Sequence, residues 1–170
     1  MKFTNCFFSM LLFLFALNTF SQVKSIGTPN VKNYKRTEYK GGTQNWSIDQ
    51  DKNGNIYFAN NSGLIQFDGS TWRKYSLPNN TAIRSLKIDD SGEIFVGGNN
   101  EFGYFKAGEK GELKYYSLTK LISANDGRDI DLIWRIHIFK GQVIFQSFTK
   151  ALFYKNNKII VLNAPRKFQF

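Results

Sequence analysis

From Trp46 onward the chain reads as short apolar runs rich in β-branched and aromatic residues, cut at near-regular intervals by Asp, Asn and Gly. No stretch keeps a 3.6-residue apolar period, so the runs predict strands and the polar breaks predict turns. One phrase recurs three times: Gly54-Asn55-Ile56-Tyr57-Phe58, Gly92-Glu93-Ile94-Phe95-Val96 and Gly141-Gln142-Val143-Ile144-Phe145. Each copy sits in a similar unit of four strands. The first holds Trp46 to Asp49, Asn55 to Ala59, Leu64 to Phe67 and Trp72 to Ser76. The second holds Ile83 to Ile88, Glu93 to Val96, Phe102 to Phe105 and Leu113 to Tyr116, and the third Trp134 to Ile138, Val143 to Ser147, Leu152 to Tyr154 and Lys158 to Leu162.

Asn53-Gly54, Asp68-Gly69, Asp90-Ser91-Gly92, Lys140-Gly141 and Asn156-Asn157 supply residues that tolerate tight turns. Gly54 to Gly92 is 38 residues and Gly92 to Gly141 is 49, the longer interval reflecting an insertion near Thr119 to Leu132. Small units of this kind cannot bury their own apolar faces and must stack, so an all-β chain of three four-stranded β-propeller blades is expected. The domain reading is residues 1–21 a signal peptide, 22–45 a surface lead-in, and blades over 46–82, 83–132 and 133–170, the last including the start of the next. Closed propellers use about four to eight blades, and three leave open faces and strand edges. The chain is therefore expected to be the N-terminal piece of a longer protein, its partners including the remaining blades.

Composition adds location more than chemistry. Lys2, the apolar run from Cys6 to Leu17 and the small residues Thr19 and Ser21 make an export signal cut near Gln22. The apolar run is shorter than the roughly 20 residues of a spanning helix. Cys6 is the only cysteine and leaves with the signal, so the mature chain has no disulfide, thiolate ligand or thiol nucleophile. The net charge of +10 comes from basic residues scattered singly, among them Lys32, Arg36, Arg73, Lys110 and Lys158. In an exported chain that argues for a solvated surface or attraction to acidic glycans and anionic headgroups, and against nucleic acid.

Candidate chemistry is sparse. His137, the one histidine, alternates with Ile136 and Ile138 and has no second imidazole with which to hold a metal. Asp126-Gly127-Arg128-Asp129-Ile130-Asp131 groups three carboxylates, but the glycine is misplaced for a calcium loop and Arg128 repels a cation, so a solvated turn is expected. No local pair of acids suggests glycoside hydrolysis. No catalytic residue, cofactor or metal ligand is assigned. Trp46, Trp72 and Trp134 could stack on sugar rings, yet core packing alone explains the matched places of Trp46 and Trp134 at the starts of innermost strands. In a propeller the loops between second and third strands and between blades converge on one face. That face would carry Asn60, Asn61, Asn99, Asn100 and Glu101, with Asp129 and Asp131 from the inserted loop. Amides and carboxylates suit hydroxyl-rich ligands, and Asn also serves turn chemistry.

Five segments, taken in order, carry a resemblance: Gly41-Gly42-Thr43-Gln44-Asn45-Trp46, Ile56 through Leu64, Glu101-Phe102-Gly103-Tyr104-Phe105, Ile133-Trp134-Arg135-Ile136 and Phe145-Gln146-Ser147-Phe148. They resemble the opening of the periplasmic two-component-regulator propeller sensors of Bacteroidetes. The resemblance implies a sensor propeller on the periplasmic side of the inner membrane. It also implies a later three-tyrosine immunoglobulin-like domain, a membrane helix and a cytoplasmic output, either a LuxR-type helix-turn-helix or a hybrid histidine kinase. The Gln-Asn-Trp opening and Glu-Phe-Gly-Tyr-Phe look more like the helix-turn-helix branch. Function would then be recognition of an extracytoplasmic ligand, an oligosaccharide among the candidates, or a homodimer contact, without catalysis. A secreted polysaccharide-active propeller enzyme and an adhesion or scaffold propeller stand as alternatives.

Overall fold

A computed structural model describes residues 27, 31–123 and 129–169. The chain divides into a unit Met1–Asn33, nearly all of it outside the described residues, and a unit Tyr34–Phe170 that carries the fold. The export signal at 1–21 and the carboxylate Asp126 lie outside the described residues. Among those described, no helix is long and apolar enough to cross a membrane.

Among the described residues twelve strands form three antiparallel four-stranded sheets, each in simple sequence order. The first is β1 (Asn45–Gln50), β2 (Ile56–Asn60), β3 (Gly63–Phe67) and β4 (Trp72–Tyr75). The second is β5 (Ser85–Ile88), β6 (Ile94–Gly97), β7 (Phe102–Ala107) and β8 (Leu113–Ser117). The third is β9 (Arg135–Phe139), β10 (Gln142–Gln146), β11 (Lys150–Lys155) and β12 (Lys158–Asn163). Strand β1 packs beside β5 and β5 beside β9, so the first strand of every sheet lines one inner rim. These are propeller blades.

Alternation along the strands decides which blade meets which. In β6, Ile94 and Val96 turn toward the first blade and join Tyr57, Ala59, Leu64, Leu86 and Phe105 in one core. Phe95, between them, joins Phe102, Ile136, Val143, Phe145 and Leu152 in a second core with the third blade. All four residues of β6 are buried, because a middle blade is covered on both faces. Phe95 and Phe145 meet edge to face at 6.1 Å, and burying each such ring is worth about 2–3 kcal/mol. The connections between blades are locked by matched bonds. Ile83 N–H donates to the carbonyl of Asn60 and Ile133 N–H to that of Gly98, both at 3.1 Å, with both isoleucine side chains fully buried.

Turns follow the sequence with one refinement. Lys140-Gly141 and Asn156-Asn157 are two-residue hairpin turns with every φ positive, 49°, 70°, 49° and 57° in order. At Asn53-Gly54 and Asp68-Gly69 only the glycine has positive φ. These longer loops are closed by a carboxylate: Asp51 Oδ1 accepts the N–H groups of Asn53 and Asn55, both at 2.9 Å, and Asp68 Oδ1 those of Ser70 and Thr71; Asp89 Oδ1 likewise accepts from Ser91 and Glu93 in the Asp90-Ser91-Gly92 loop.

Two segments depart from expectation. The lead-in contains a short helix, α1 (Arg36–Tyr39). Tyr34 and Tyr39 pack against Trp72 at 5.1 and 5.7 Å on the first blade, so this stretch is not simply surface chain. The insertion is also partly core. Ile122 and Ile130 are buried, Leu132 bridges to Asn99, and Thr119–Leu121 forms a 3₁₀ turn. Apolar side chains at the ends of the loop anchor what the charged sequence alone marks as a solvated bend.

Candidate functional site

Chain direction puts the starts of the first strands at the same end of the blades as the β2–β3, β6–β7 and β10–β11 connections. At that end the register aligns three residues. Ile48 pairs with Phe58, Leu86 with Val96 and Ile136 with Phe145, so these are matched positions in the three blades. Two residues before each stand Trp46, Arg84 and Trp134. Arg84 N–H donates to the Gly97 carbonyl at 2.8 Å and Trp134 N–H to that of Gln146 at 2.9 Å, the same bond in two blades.

The three side chains come together. The Arg84 guanidinium carbon lies 3.9 Å from the centre of the Trp46 ring and 5.9 Å from that of Trp134, and the two indoles meet nearly perpendicular with centroids 6.1 Å apart. Asn61 orients the cluster: its Oδ1 accepts from Trp46 Nε1 at 2.7 Å and from Arg84 Nη1 at 3.3 Å, while its Nδ2 donates to Gln44 Oε1 at 3.1 Å. Trp134 is half-buried and backed by Phe148 at 5.7 Å. Trp46 is 40% exposed, so its ring is a surface platform. Trp72 lies elsewhere, stacked on Phe67 at 4.3 Å within the first blade.

Below this cluster a groove of about 210 Å³ runs along the three first strands, lined by Asp49, Ser85, Lys87 and Arg135 in addition to the indoles and Arg84. Asp49 is its only acid, and it is committed: Lys87 Nζ lies 3.0 Å away and Ile88 N–H donates to it at 3.1 Å. Burial pushes the Asp49 carboxyl up, but the Ile88 amide and Lys87 together hold it below the usual carboxylate range. Arg135 is exposed and has no acid beside it among the described residues. The groove therefore presents guanidinium charge without a matching carboxylate.

The residues singled out from sequence divide. Asn60 is fully buried, and its carboxamide is consumed by the N–H groups of Gly42 and Ser62, the carbonyls of Gly42 and Gln44, and Asn45. Asn61 belongs to the aromatic cluster. Asn99 lends its carbonyl to Asn79, and Asn100 Oδ1 accepts from the N–H groups of Ile130 and Asp131. Glu101 Oε1 accepts from the Tyr115 and Ser117 hydroxyls at 2.8 and 2.6 Å, and burial with this neighbouring charge pushes the Tyr115 hydroxyl up. The Asp129 carbonyl receives Lys150 Nζ, and Asp131 sits at positive φ with its carbonyl bonded to Asn100. Asn60, Asn100 and Glu101 thus spend their side chains on the loops, whereas at Asn99, Asp129 and Asp131 the bonds described are those of the backbone carbonyl. Among the described residues no group of three or more His, Cys, Asp or Glu is placed to hold a metal.

No protein-family model matches the chain. No curated protein matches it in sequence. Among solved structures, virginiamycin B lyase from Staphylococcus aureus superposes with a TM-score of 0.56 at 18% identity, covering 78% of this chain and 44% of the lyase. A structure named as the extracellular domain of a one-component system from B. thetaiotaomicron gives a TM-score of 0.55 at 16% identity, covering 75% of this chain and 17% of that domain. The extracellular domain of a hybrid two-component system from the same organism gives 0.51 at 18%, with 71% and 18% covered. This chain thus spans less than half the length of the lyase and less than a fifth of either sensor domain. At these identities the likeness establishes the β-propeller fold, and the structural neighbours include extracellular domains of one-component and hybrid two-component systems.

Proposed function

We propose that this chain is the opening part of an exported sensor propeller, held on the periplasmic side of the inner membrane in a membrane-spanning regulator. It acts by binding a ligand rather than by transforming one. The observation that carries this reading is the inner-rim cluster: Trp46, Arg84 and Trp134, at matched positions of three blades, are held by Asn61 at the end where the blade connections gather. A platform of this kind suits recognition, because it offers an aromatic face and donors with no group poised as a base or nucleophile. Asn60, Asn99, Asn100, Glu101, Asp129 and Asp131 contribute by fixing the loops around it. Ligand occupancy at the rim, or a homodimer contact, would alter how blades sit against the rest of the receptor and so pass a signal onward.

Likeness in fold to virginiamycin B lyase favours a second reading, a propeller enzyme; an oligosaccharide substrate is the case to test, because the sequence alternative is a polysaccharide-active propeller. The two separate in one experiment. The full chain is titrated calorimetrically against a panel of plant and host oligosaccharides, and each recovered sugar is weighed by mass spectrometry. Saturable heat with every sugar returned unchanged is the expected result. A shortened or unsaturated product would replace the sensor reading with the enzymatic one, and a folded chain that binds none of the panel would favour a scaffold.

A further inference from the structure

We infer that the groove beneath Trp46 and Trp134 is a binding site for a sugar ring bearing a carboxylate, with Arg84 and Arg135 as its anion-binding pair. This rests on the binding role proposed above and names the chemistry of the ligand. Three observations converge. Trp46 is 40% exposed at the rim of the groove, and the ring surface that Arg84 does not cover is an apolar face on which the C–H side of a sugar stacks. Arg84 is fixed by its stack on Trp46 at 3.9 Å and by its bond to Asn61, so its guanidinium is held in place before any ligand arrives. Arg135, exposed on the lining of the same groove, has no acid beside it among the described residues, which leaves its guanidinium open to an incoming acceptor.

The balance of charge selects the ligand. Arg84, Lys87 and Arg135 line the groove against Asp49 alone, and Asp49 is already taken by Lys87 at 3.0 Å. Neither arginine faces a carboxylate among the described residues. A guanidinium is matched in shape and charge by a carboxylate, which it binds through paired N–H donors. The volume of about 210 Å³ is small beside the roughly 300–1,000 Å³ of a full ligand pocket. It holds one ring of an oligosaccharide rather than the whole. A bare inorganic anion would use the arginines and leave the indole idle. A neutral sugar would use the indole and leave two cations unpaired. A uronic acid uses both.

The test titrates the full chain with trigalacturonate, neutral galactotriose and sulfate, following indole fluorescence and heat. Trigalacturonate is expected to bind saturably, to perturb tryptophan emission, and to weaken as salt is raised. Galactotriose should bind at least about tenfold more weakly, the loss of one charge-assisted pair. Arg135→Gln, at an exposed position with no ion-pair partner among the described residues, should reproduce that drop with an unchanged thermal melt, and Trp46→Ala should diminish the fluorescence response. Equal affinity for the neutral sugar overturns the inference while leaving a sugar-binding sensor intact. Sulfate binding as tightly as trigalacturonate overturns it in favour of a simple anion site. A panel in which only galactotriose binds overturns it too, and a panel in which nothing binds removes the underlying sensor reading as well.

Discussion

The two ends of the blades differ in how their polar groups are used. At the end of the β1–β2 and β5–β6 hairpins Asp51 and Asp89 are turned inward on their own loops, while the exposed Asp90 reaches across to Lys52. Asp51 takes two backbone amides, the Asn55 side chain and the Tyr57 hydroxyl, and Asp89 takes two amides and the Ser91 hydroxyl. At the opposite end the buried amides are equally committed, yet Arg84, Arg135 and the exposed face of Trp46 remain turned toward the groove. A repeat protein needs the first arrangement to make each blade. Nothing about blade formation needs the second. Groups that the fold does not consume are the ones available for a partner.

The largest effect that could break this division is at Asn60. Its fully buried carboxamide satisfies donors and acceptors on both sides of the loop at 2.7–3.0 Å. Asn60→Ala leaves several buried groups without partners and should lower the free energy of unfolding by about 3 kcal/mol in urea titration of the full chain. A loss below about 1 kcal/mol would mean that water replaces the side chain easily and that this loop is not a rigid support. At the hairpin end, Asp51→Ala opens one loop and strands the Tyr57 hydroxyl, and about 2 kcal/mol should be lost in the same experiment. If Asp51→Ala costs no more than Arg84→Ala, the distinction between a structural end and a free end fails.

Acid should attack the hairpin turns before the cores. The amides of Thr71 and Ser70, the Ser70 hydroxyl and Arg73 hold Asp68 well below the usual carboxylate range, and Asp49 is lowered as well. A carboxyl whose pKa is lower folded than unfolded adds stability that is fully present above its ordinary value of 3.8 and is lost as pH falls through the lowered one. The melting temperature should therefore hold from pH 7 to about 5 and fall below about 4. Asp68→Asn keeps one acceptor oxygen for the turn amides, gives up the bond to Arg73 and cannot titrate, so its melt should depend less on pH over the acid range. An unchanged acid slope would place the sensitivity elsewhere.

The cores and turns were legible because they obey local rules. Ile94, Phe95 and Val96 read as one strand from β-branched and aromatic content, and Lys140-Gly141 and Asn156-Asn157 read as hairpin turns because those residues accept positive φ. The inner-rim cluster was half legible. Trp46 and Trp134 stand out as tryptophans at matched strand starts, but Arg84 belongs to no motif. Only the register, which sets Leu86 beside Val96 as Ile48 is beside Phe58, shows that Arg84 fills the tryptophan position of the middle blade. The repeat length of 38 residues from Trp46 to Arg84, equal to that from Gly54 to Gly92, was the signal that could have found it. Packing of Tyr34 and Tyr39 on Trp72 could not be read, since an isolated aromatic in a polar lead-in does not name the surface that covers it.

The smallest expected stability effect is the most useful for separating the two ends. Trp46 is 40% exposed, its Nε1 bond to Asn61 is open to solvent, and the cation over its ring is worth about 0.5–1 kcal/mol at such a site. Trp46→Ala should therefore change unfolding free energy by no more than about 1 kcal/mol, within reach of the ordinary surface substitution. Trp134→Ala should cost more, because that ring is half-buried against Phe148 at 5.7 Å. Equal losses at the two positions in parallel urea titrations would show that Trp46 is part of the scaffold after all. A pronounced inequality, with Trp46 nearly silent, would show that one of two matched indoles is held by the fold while the other is left to the groove.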